Sequence, residues 1–221
     1  MEQTSTKDRI LDAAERLFAE RGFSDTSLRR ITAAAGANIA SVNYYFQSKE
    51  ALIHAVFSRR LVPINRARLE LLGEVEGRGG PPSVEDVLRA FVEPVLRAPE
   101  VEDLTSFGRL VGRMYSDPSD AFARIFREEF ADVRLRFTTA FQRAMPELPP
   151  EEMYWRLHFV IAVVAHTLGG LHQIRTISDG ACDISDRRAI LERLVAFLAA
   201  GFRAPLAAAH PAKGDPKCNG N

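Results

Sequence analysis

The segment Thr26–Lys49, TSLRRITAAAGANIASVNYYFQSK, limits the possible folds more than any other stretch of the chain. It reads as two short helices joined through one glycine. Leu28, Ile31 and Ala35 recur at helical spacing behind a Thr26-Ser27 cap, and Gly36 ends that run. A second run, from about Ile39 to Tyr45, carries Val42 and, just past its end, Phe46, four residues apart. Gly36 supplies the left-handed backbone that a tight turn demands and that a Cβ would strain. Helices this short are not stable alone in water, so they must share a core with another element. The preceding run offers one: about Thr6 to Arg21, with Ile10, Ala14, Leu17 and Phe18 on one stripe and Gly22 as the stop. Ala33, Ala34 and Ala35 are small enough for the two short helices to cross closely.

With Val42 and Phe46 turned inward, Ile39, Ala40, Ser41, Asn43, Tyr44 and Tyr45 are left on or near the outer surface. Small and hydrogen-bonding side chains on an exposed helix suit the major groove, where Asn pairs with adenine and apolar groups meet thymine methyls. Ser27, Tyr44, Tyr45 and Lys49 are residue types that bind phosphate, and the amide end of a helix capped by Ser48 suits a phosphate as well. Charge agrees locally. The chain has 29 basic and 29 acidic residues, yet Thr26–Arg60 holds Arg29, Arg30, Lys49, Arg59 and Arg60 against Glu50 alone. Residues 61–221 carry 20 basic and 22 acidic side chains, so the chain as a whole is no general polyanion binder.

Beyond this unit the periodicity remains helical, with no strand alternation, giving an all-α chain of about nine helices. Ser48 caps a fourth helix that reaches about Leu72. Gly73–Pro82, GEVEGRGGPP, reads as the clearest break in the chain. Further helices are expected from a Ser83/Asp86 cap onward, over about Leu104–Tyr115, Ser119–Met145, Glu151–Ile177 and Asp186–Phe202. The resulting division is a three-helix unit at 1–47, a larger helical domain at 48–204 and a disordered tail at 205–221. Cys182 and Cys218 suggest no disulfide framework, the first residues lack a signal-peptide core, and no apolar run is long enough for a bilayer. A soluble, cytoplasmic protein is the expectation.

Several spaced patterns resemble one family together. ILDAAERLFAERGF, TSLRRITAAAG and VNYYFQSKEALIHAVF, spanning about Arg9 to Phe57, are similar to the N-terminal domain of TetR-family transcriptional regulators. The resemblance implies a dimeric, all-helical repressor with a helix-turn-helix on DNA and a C-terminal ligand-binding and dimerisation domain. Carried over by position, Ser27, Tyr44 and Lys49 match backbone contacts. Arg29, Ile39, Ala40, Ser41, Asn43 and Tyr45 match positions that approach base edges or neighbouring phosphates. Asn43 stands where the family often has Tyr, and Ala40 where Gly or Pro is frequent, which implies a different base preference. Arg30 stands where an acidic residue is frequent. ANIASVNYYFQSKEALIHAVFSRRL and MYWRLHFVIAVVAH further resemble a subgroup that responds to long-chain fatty acids or their derivatives.

The expected partners are double-stranded DNA with a palindromic operator, a small-molecule effector and a second copy of the chain. The dimer is expected through the last two helices, with Leu157, Ile161, Val164 and Leu168 as the seam and Gly169-Gly170 permitting close approach. Phe107, Arg109, Phe126, Phe130 and Phe159 are the candidate effector contacts. Arg109 and Arg113, four apart, suit a ligand carboxylate or a solvated helix face. His158, His166 and His172 are spaced too widely for one metal ion, so no metal or cofactor is expected. No phosphate loop, nucleophile elbow or carboxylate pair suggests an enzyme.

Overall fold

The computed structural model describes residues 5–97, 104–116 and 120–206, without the side chains of 104, 105, 116, 120–123 and 126. Among these residues all regular structure is helical, in eleven helices. The expected tail falls almost wholly outside them; only Pro205 and Leu206 are described, both exposed.

α1 (Thr6–Arg21), α2 (Leu28–Ala35) and α3 (Ile39–Phe46) form the N-terminal unit, and each starts at a side-chain cap. Ser5 accepts from the Asp8 amide, Ser27 from Arg30 and Asn38 from Ser41. Gly22 and Gly36 close α1 and α2 at φ +86° and +59°. Ile10, Ala14, Phe18, Ile31, Val42 and Phe46 meet in the core, and the buried Thr26 hydroxyl donates to the Leu17 and Gly22 carbonyls. Ala35 alone of the three alanines lies at the helix crossing; Ala33 and Ala34 are exposed.

α4 (Lys49–Gly77) begins at the Ser48 cap and runs past the expected end at Leu72, through Gly73 and into the stretch expected to be a linker. Two glycines disfavour a helix by about 1 kcal/mol each. Leu72 and Val75 bury themselves on the same face, which offsets that cost. The N-terminal half of α4 supplies Leu52, Val56 and Phe57 to the core beneath α1–α3. Its later turns pack on α5 (Val84–Arg97), which starts where the Ser83 oxygen accepts from the Asp86 amide.

The remaining helices are α6 (Leu104–Ser116), α7 (Asp120–Glu129), α8 (Ala131–Ala144), α9 (Pro150–Gly169), α10 (Leu171–Ile177) and α11 (Arg187–Phe202). Two expected long helices are each broken, which accounts for eleven rather than nine. At Phe130, between α7 and α8, the Asn65 amide of α4 donates to the Glu129 carbonyl at 2.7 Å, taking an acceptor that an unbroken helix would use internally. At Gly170 the chain turns by 69° from α9 into α10. Among the described residues no single helix is long and apolar enough to cross a membrane.

α6 and α9 touch backbone to backbone. A Cβ on Gly108 would stand 2.3 Å from the Gly169 nitrogen. Arg156 of α9 holds the end of α11 by donating to the Phe202 and Ala204 carbonyls, and Phe141 stacks on Phe202 at 4.5 Å. The α6–α9 contact is testable. Gly108→Ala is expected to destabilise the protein by about 1–3 kcal/mol or more in urea unfolding, because backbone rather than a movable side chain must yield. Gly73→Ala, exposed, helical and with open space around it, is expected to stabilise by about 0.5–1 kcal/mol.

Candidate nucleic-acid interface

Within α3, burial and exposure separate cleanly. Val42 and Phe46 are buried, while Ile39, Ala40, Asn43, Tyr44 and Tyr45 are exposed and Ser41 is half-buried. Tyr44 is 81% exposed, and its ring meets Tyr45 edge-on at 5.0 Å. The outward residues therefore form one surface held from behind by two apolar anchors. Ser27 and Arg29 lie at the exposed start of α2, and Lys49 is half-buried at the start of α4. Eight of the nine sequence-derived contact positions thus lie at or on α2 and α3 of the N-terminal unit, and the ninth, Lys49, opens α4 just beyond it.

Some polar atoms in this surface already have partners. The Ser27 oxygen accepts from the Arg30 amide at 3.3 Å, and the Ser41 hydroxyl donates to Asn38 Oδ1 at 3.0 Å. Arg30 donates to the Asp25 carbonyl at 3.3 Å. At the start of α4, Ser48 accepts from the Ala51 amide. The Glu50 carboxyl is held below the usual carboxylate range, first by a backbone hydrogen bond and then by the Ser48 hydroxyl. That helix end is therefore occupied by protein oxygens, which leaves less of it for a phosphate than the Ser48 cap alone suggests.

The basic patch is also smaller than the sequence count. Arg59 pairs with Asp12 at 2.7 Å and with Glu15, and Arg60 reaches Glu15 at 3.0 Å. These two arginines fasten α4 to α1. Arg29, Arg30 and Lys49 remain beside α3, where none forms an ion pair among the described residues.

Two features here were not drawn from the sequence. Asn38, the cap of α3, fits the ordinary cap pattern of Asn before a helical run. Gln47 has no such signal. It joins α3 to α4 at φ +66°, ψ −39°, with the Ser48 amide bonding to the Phe46 carbonyl two residues back at 2.7 Å. This γ-turn is rare and strained for a residue with a Cβ.

Comparison with known proteins decides the family. A family model for the tetracyclin repressor-like C-terminal domain matches residues 89–201, and one for bacterial regulatory proteins of the tetR family matches residues 10–56. The chain belongs to the TetR family. The probable HTH-type transcriptional regulator YttP of Bacillus subtilis is 43% identical over 56 residues, covering 25% of this chain and 27% of that protein. The HTH-type transcriptional regulator AcrR of Shigella flexneri is 34% identical over 102 residues, or 46% of this chain and 45% of its own. The chain thus spans about a quarter to a half of the length of these TetR-type relatives. The fatty acid degradation regulator FadR from Bacillus halodurans superposes over 93% of this chain and 100% of its own, with TM-score 0.64 and 15% identity, a likeness of fold.

In the TetR-type C-terminal part, the candidate effector contacts separate. Phe107 is buried and Phe130 half-buried, and both line an internal slot. Arg109 lines an outer cleft between α6 and α9. Phe159 instead stands 53% exposed on the outer face of α9, stacked 6.0 Å from Trp155. The side chain of Phe126 lies outside the described residues. The residues of the expected dimer seam have contacts within their own chain. Val164 and Leu168 are buried within the protomer, Leu157 and Ile161 line an internal chamber, and Gly169 is used against α6. The register of α9 turns that stripe toward its own chain and leaves Trp155 and Phe159 outside.

The turn at Gln47 yields a prediction. Gln47→Val is expected to destabilise the protein by about 1–3 kcal/mol in thermal or urea unfolding. Gln47→Gly, free of the Cβ penalty, is expected to be neutral or stabilising.

Proposed function

We propose that this TetR-family protein is a DNA-binding transcriptional repressor that acts as a homodimer on a palindromic operator and is released by a small apolar effector. The observation that carries the DNA reading is the outer surface of α3, where Asn43 and its neighbours are exposed on a helix anchored by Val42 and Phe46. In this reading Asn43, Ile39, Ala40 and Ser41 read bases with Arg29 and Tyr45 beside them, while Ser27, Tyr44 and Lys49 set the register on the phosphate backbone. The DNA-reading unit is assigned to 1–47 and the effector and dimer domain to 48–204.

The dimer is supported by exposed aromatic side chains on the last long helices: Trp155 and Phe159, stacked on α9, and Phe197 on α11, each more than half exposed. A two-fold pair presents two α3 helices, so the operator half-sites would lie about 34–36 Å apart or a multiple of that. An apolar effector is supported by the phenylalanine-rich chamber of the C-terminal domain. Similar folds include a regulator of fatty acid degradation and a protein described as a complex with triclosan. Release requires the effector to favour the DNA-free geometry, typically by about 1–3 kcal/mol of coupling.

Fluorescence anisotropy on the DNA upstream of the protein's own gene tests this reading; absence of specific binding to any palindrome at moderate salt would overturn it. Lys49→Ala is expected to weaken binding on all sequences and to reduce the salt slope by about one. Asn43→Ala is expected to change the ranking of operator variants, with losses of about 1–3 kcal/mol confined to the site it reads. Uniform weakening would remove its role as a base reader. Phe197→Asp is expected to convert dimers to monomers in sedimentation velocity and to weaken operator binding with them.

A further inference from the structure

Three cavities adjoin between α4, α5, α6, α8 and α9. An open cleft of about 430 Å³ lies along α6 and α9 and carries Arg109, His166 and Gln173. A chamber of about 270 Å³ is lined by Phe91, Phe130, Phe137, Phe141, Leu157 and Ile161, with few polar atoms. A slot of about 40 Å³ adjoins it, sharing Phe91, Phe130 and Ile161, and Arg68 of α4 is part of its wall. Tyr115 borders all three.

Arg68 is the anomaly. Its exposure is 6%, yet among the described residues no carboxylate lies within ion-pair distance of it. Its Nε donates to the Phe91 carbonyl at 2.8 Å, its Nη1 to Asn65 Oδ1 at 3.0 Å, and its guanidinium sits 4.0 Å from the centre of the Phe91 ring. These neutral partners orient the cation without cancelling its charge. The other half-buried or buried arginines with structural duties are treated differently: Arg59 and Arg60 meet acids of α1, and Arg156 meets Glu152. Burial pushes the pKa of Arg68 down to about 10, so it remains a cation at neutral pH. Burial also raises the pKa of Tyr115, which keeps its phenol neutral there. A buried charge without a counter-ion is costly, and a site that keeps one is prepared for an anion brought from outside.

We propose that the effector is an amphipathic monocarboxylate whose carboxylate enters the slot and pairs with Arg68 while its apolar body fills the phenylalanine chamber. This rests on the effector-released repressor reading and names the ligand class for it. The slot has room for about three water molecules, which suits a carboxylate and not a bulky phosphorylated head. The chamber falls below the usual range for drug-sized ligands, about 300–1,000 Å³, so a medium-length aliphatic or aryl chain fits better than a long one. Arg68 also lies on the helix that reaches α1 and α3, and its partner Asn65 holds the break between α7 and α8. An anion at Arg68 therefore acts on α4 directly.

The test needs no DNA and no variant at first. Calorimetry on the wild-type full chain compares apolar carboxylic acids of about six to twelve carbons, such as decanoate and 4-butylbenzoate, each with its primary amide. At least one acid is expected to bind about tenfold or more tighter than its amide, the range of a charge-assisted bond in a buried site. Equal binding of every acid and its amide, or no binding by any of them, overturns the proposal. Arg68→Met, which keeps the apolar stem, is expected to bring acid and amide within about twofold of each other. Arg134 of α8 is exposed but also lines the chamber, and Arg109 lines the cleft; Arg134→Gln and Arg109→Gln are expected to retain the preference. Loss of the preference in either of these, with retention in Arg68→Met, places the anion elsewhere and also overturns it. Operator binding, followed separately by anisotropy, tells failure of the repressor reading from failure of the ligand class.

Discussion

Helix α4 is the element through which one core continues along the chain. Leu52, Val56 and Phe57 complete the packing of α1–α3, while Leu61, Ile64 and Leu72 join the same core among the later helices. Between them Arg59 and Arg60 clasp Asp12 and Glu15 of α1, and Arg59 is three-quarters buried as it does so. Breaking a part-buried clasp by removing one partner costs more than breaking an exposed pair, because it leaves a poorly solvated charge behind. Because one helix packs on α1 and α3 at one end and on α5 and α8 at the other, a displacement of its later turns would bear on the three-helix unit. Pro63 interrupts its hydrogen-bond ladder at the boundary, by removing the amide that would bond to the Arg59 carbonyl.

The arginines divide the chain's chemistry by what surrounds them. Those facing acids fasten helices together: Arg89 with Glu192, Arg136 with Glu76 and Arg203 with Glu85 join distant parts of the C-terminal domain. Arg156 is buried but saturated by carbonyls at the end of α11 and by Glu152. Arg29 and Arg30 are exposed on α2 and Lys49 half-buried at the start of α4, with no ion pair among the described residues. Arg68 alone among those named is buried with neutral partners. The formal net charge of zero conceals these four environments.

The N-terminal unit was legible because its signals are local. Ser27, Gly36 and Ser48 are caps or stops whose chemistry acts over three or four residues, and they lie where the sequence places them. The outward set on α3 followed from Val42 and Phe46 alone. In the C-terminal domain the deciding contacts are distant in sequence. Gly73 reads as a breaker until Leu72 and Val75 are seen to be buried. Phe130 gives no sign of a break, because the amide that causes it belongs to Asn65. Leu157, Ile161, Val164 and Leu168 form a stripe that fits an inner or an outer face equally, and α6 decides between them. Arg68 did leave a trace: it falls in register with Leu61, Ile64, Leu72 and Val75, a charge within an apolar stripe. No local rule gives its partners.

The glycine contact between α6 and α9 has a mechanical meaning. Two helices separated by side chains can shift by rotamer changes at small cost, whereas backbones in direct contact at Gly108 and Gly169 have no rotamers to exchange. They behave as a joint without play. At its far end α6 places Arg113 over Gly22, with the guanidinium donating to the Glu20 carbonyl at the end of α1. The outer face of α9, where Trp155 and Phe159 stand, is therefore linked to α1 through one stiff crossing and one hydrogen-bonded tip. A shift of α9 would therefore reach α1 by this route as well as through α4.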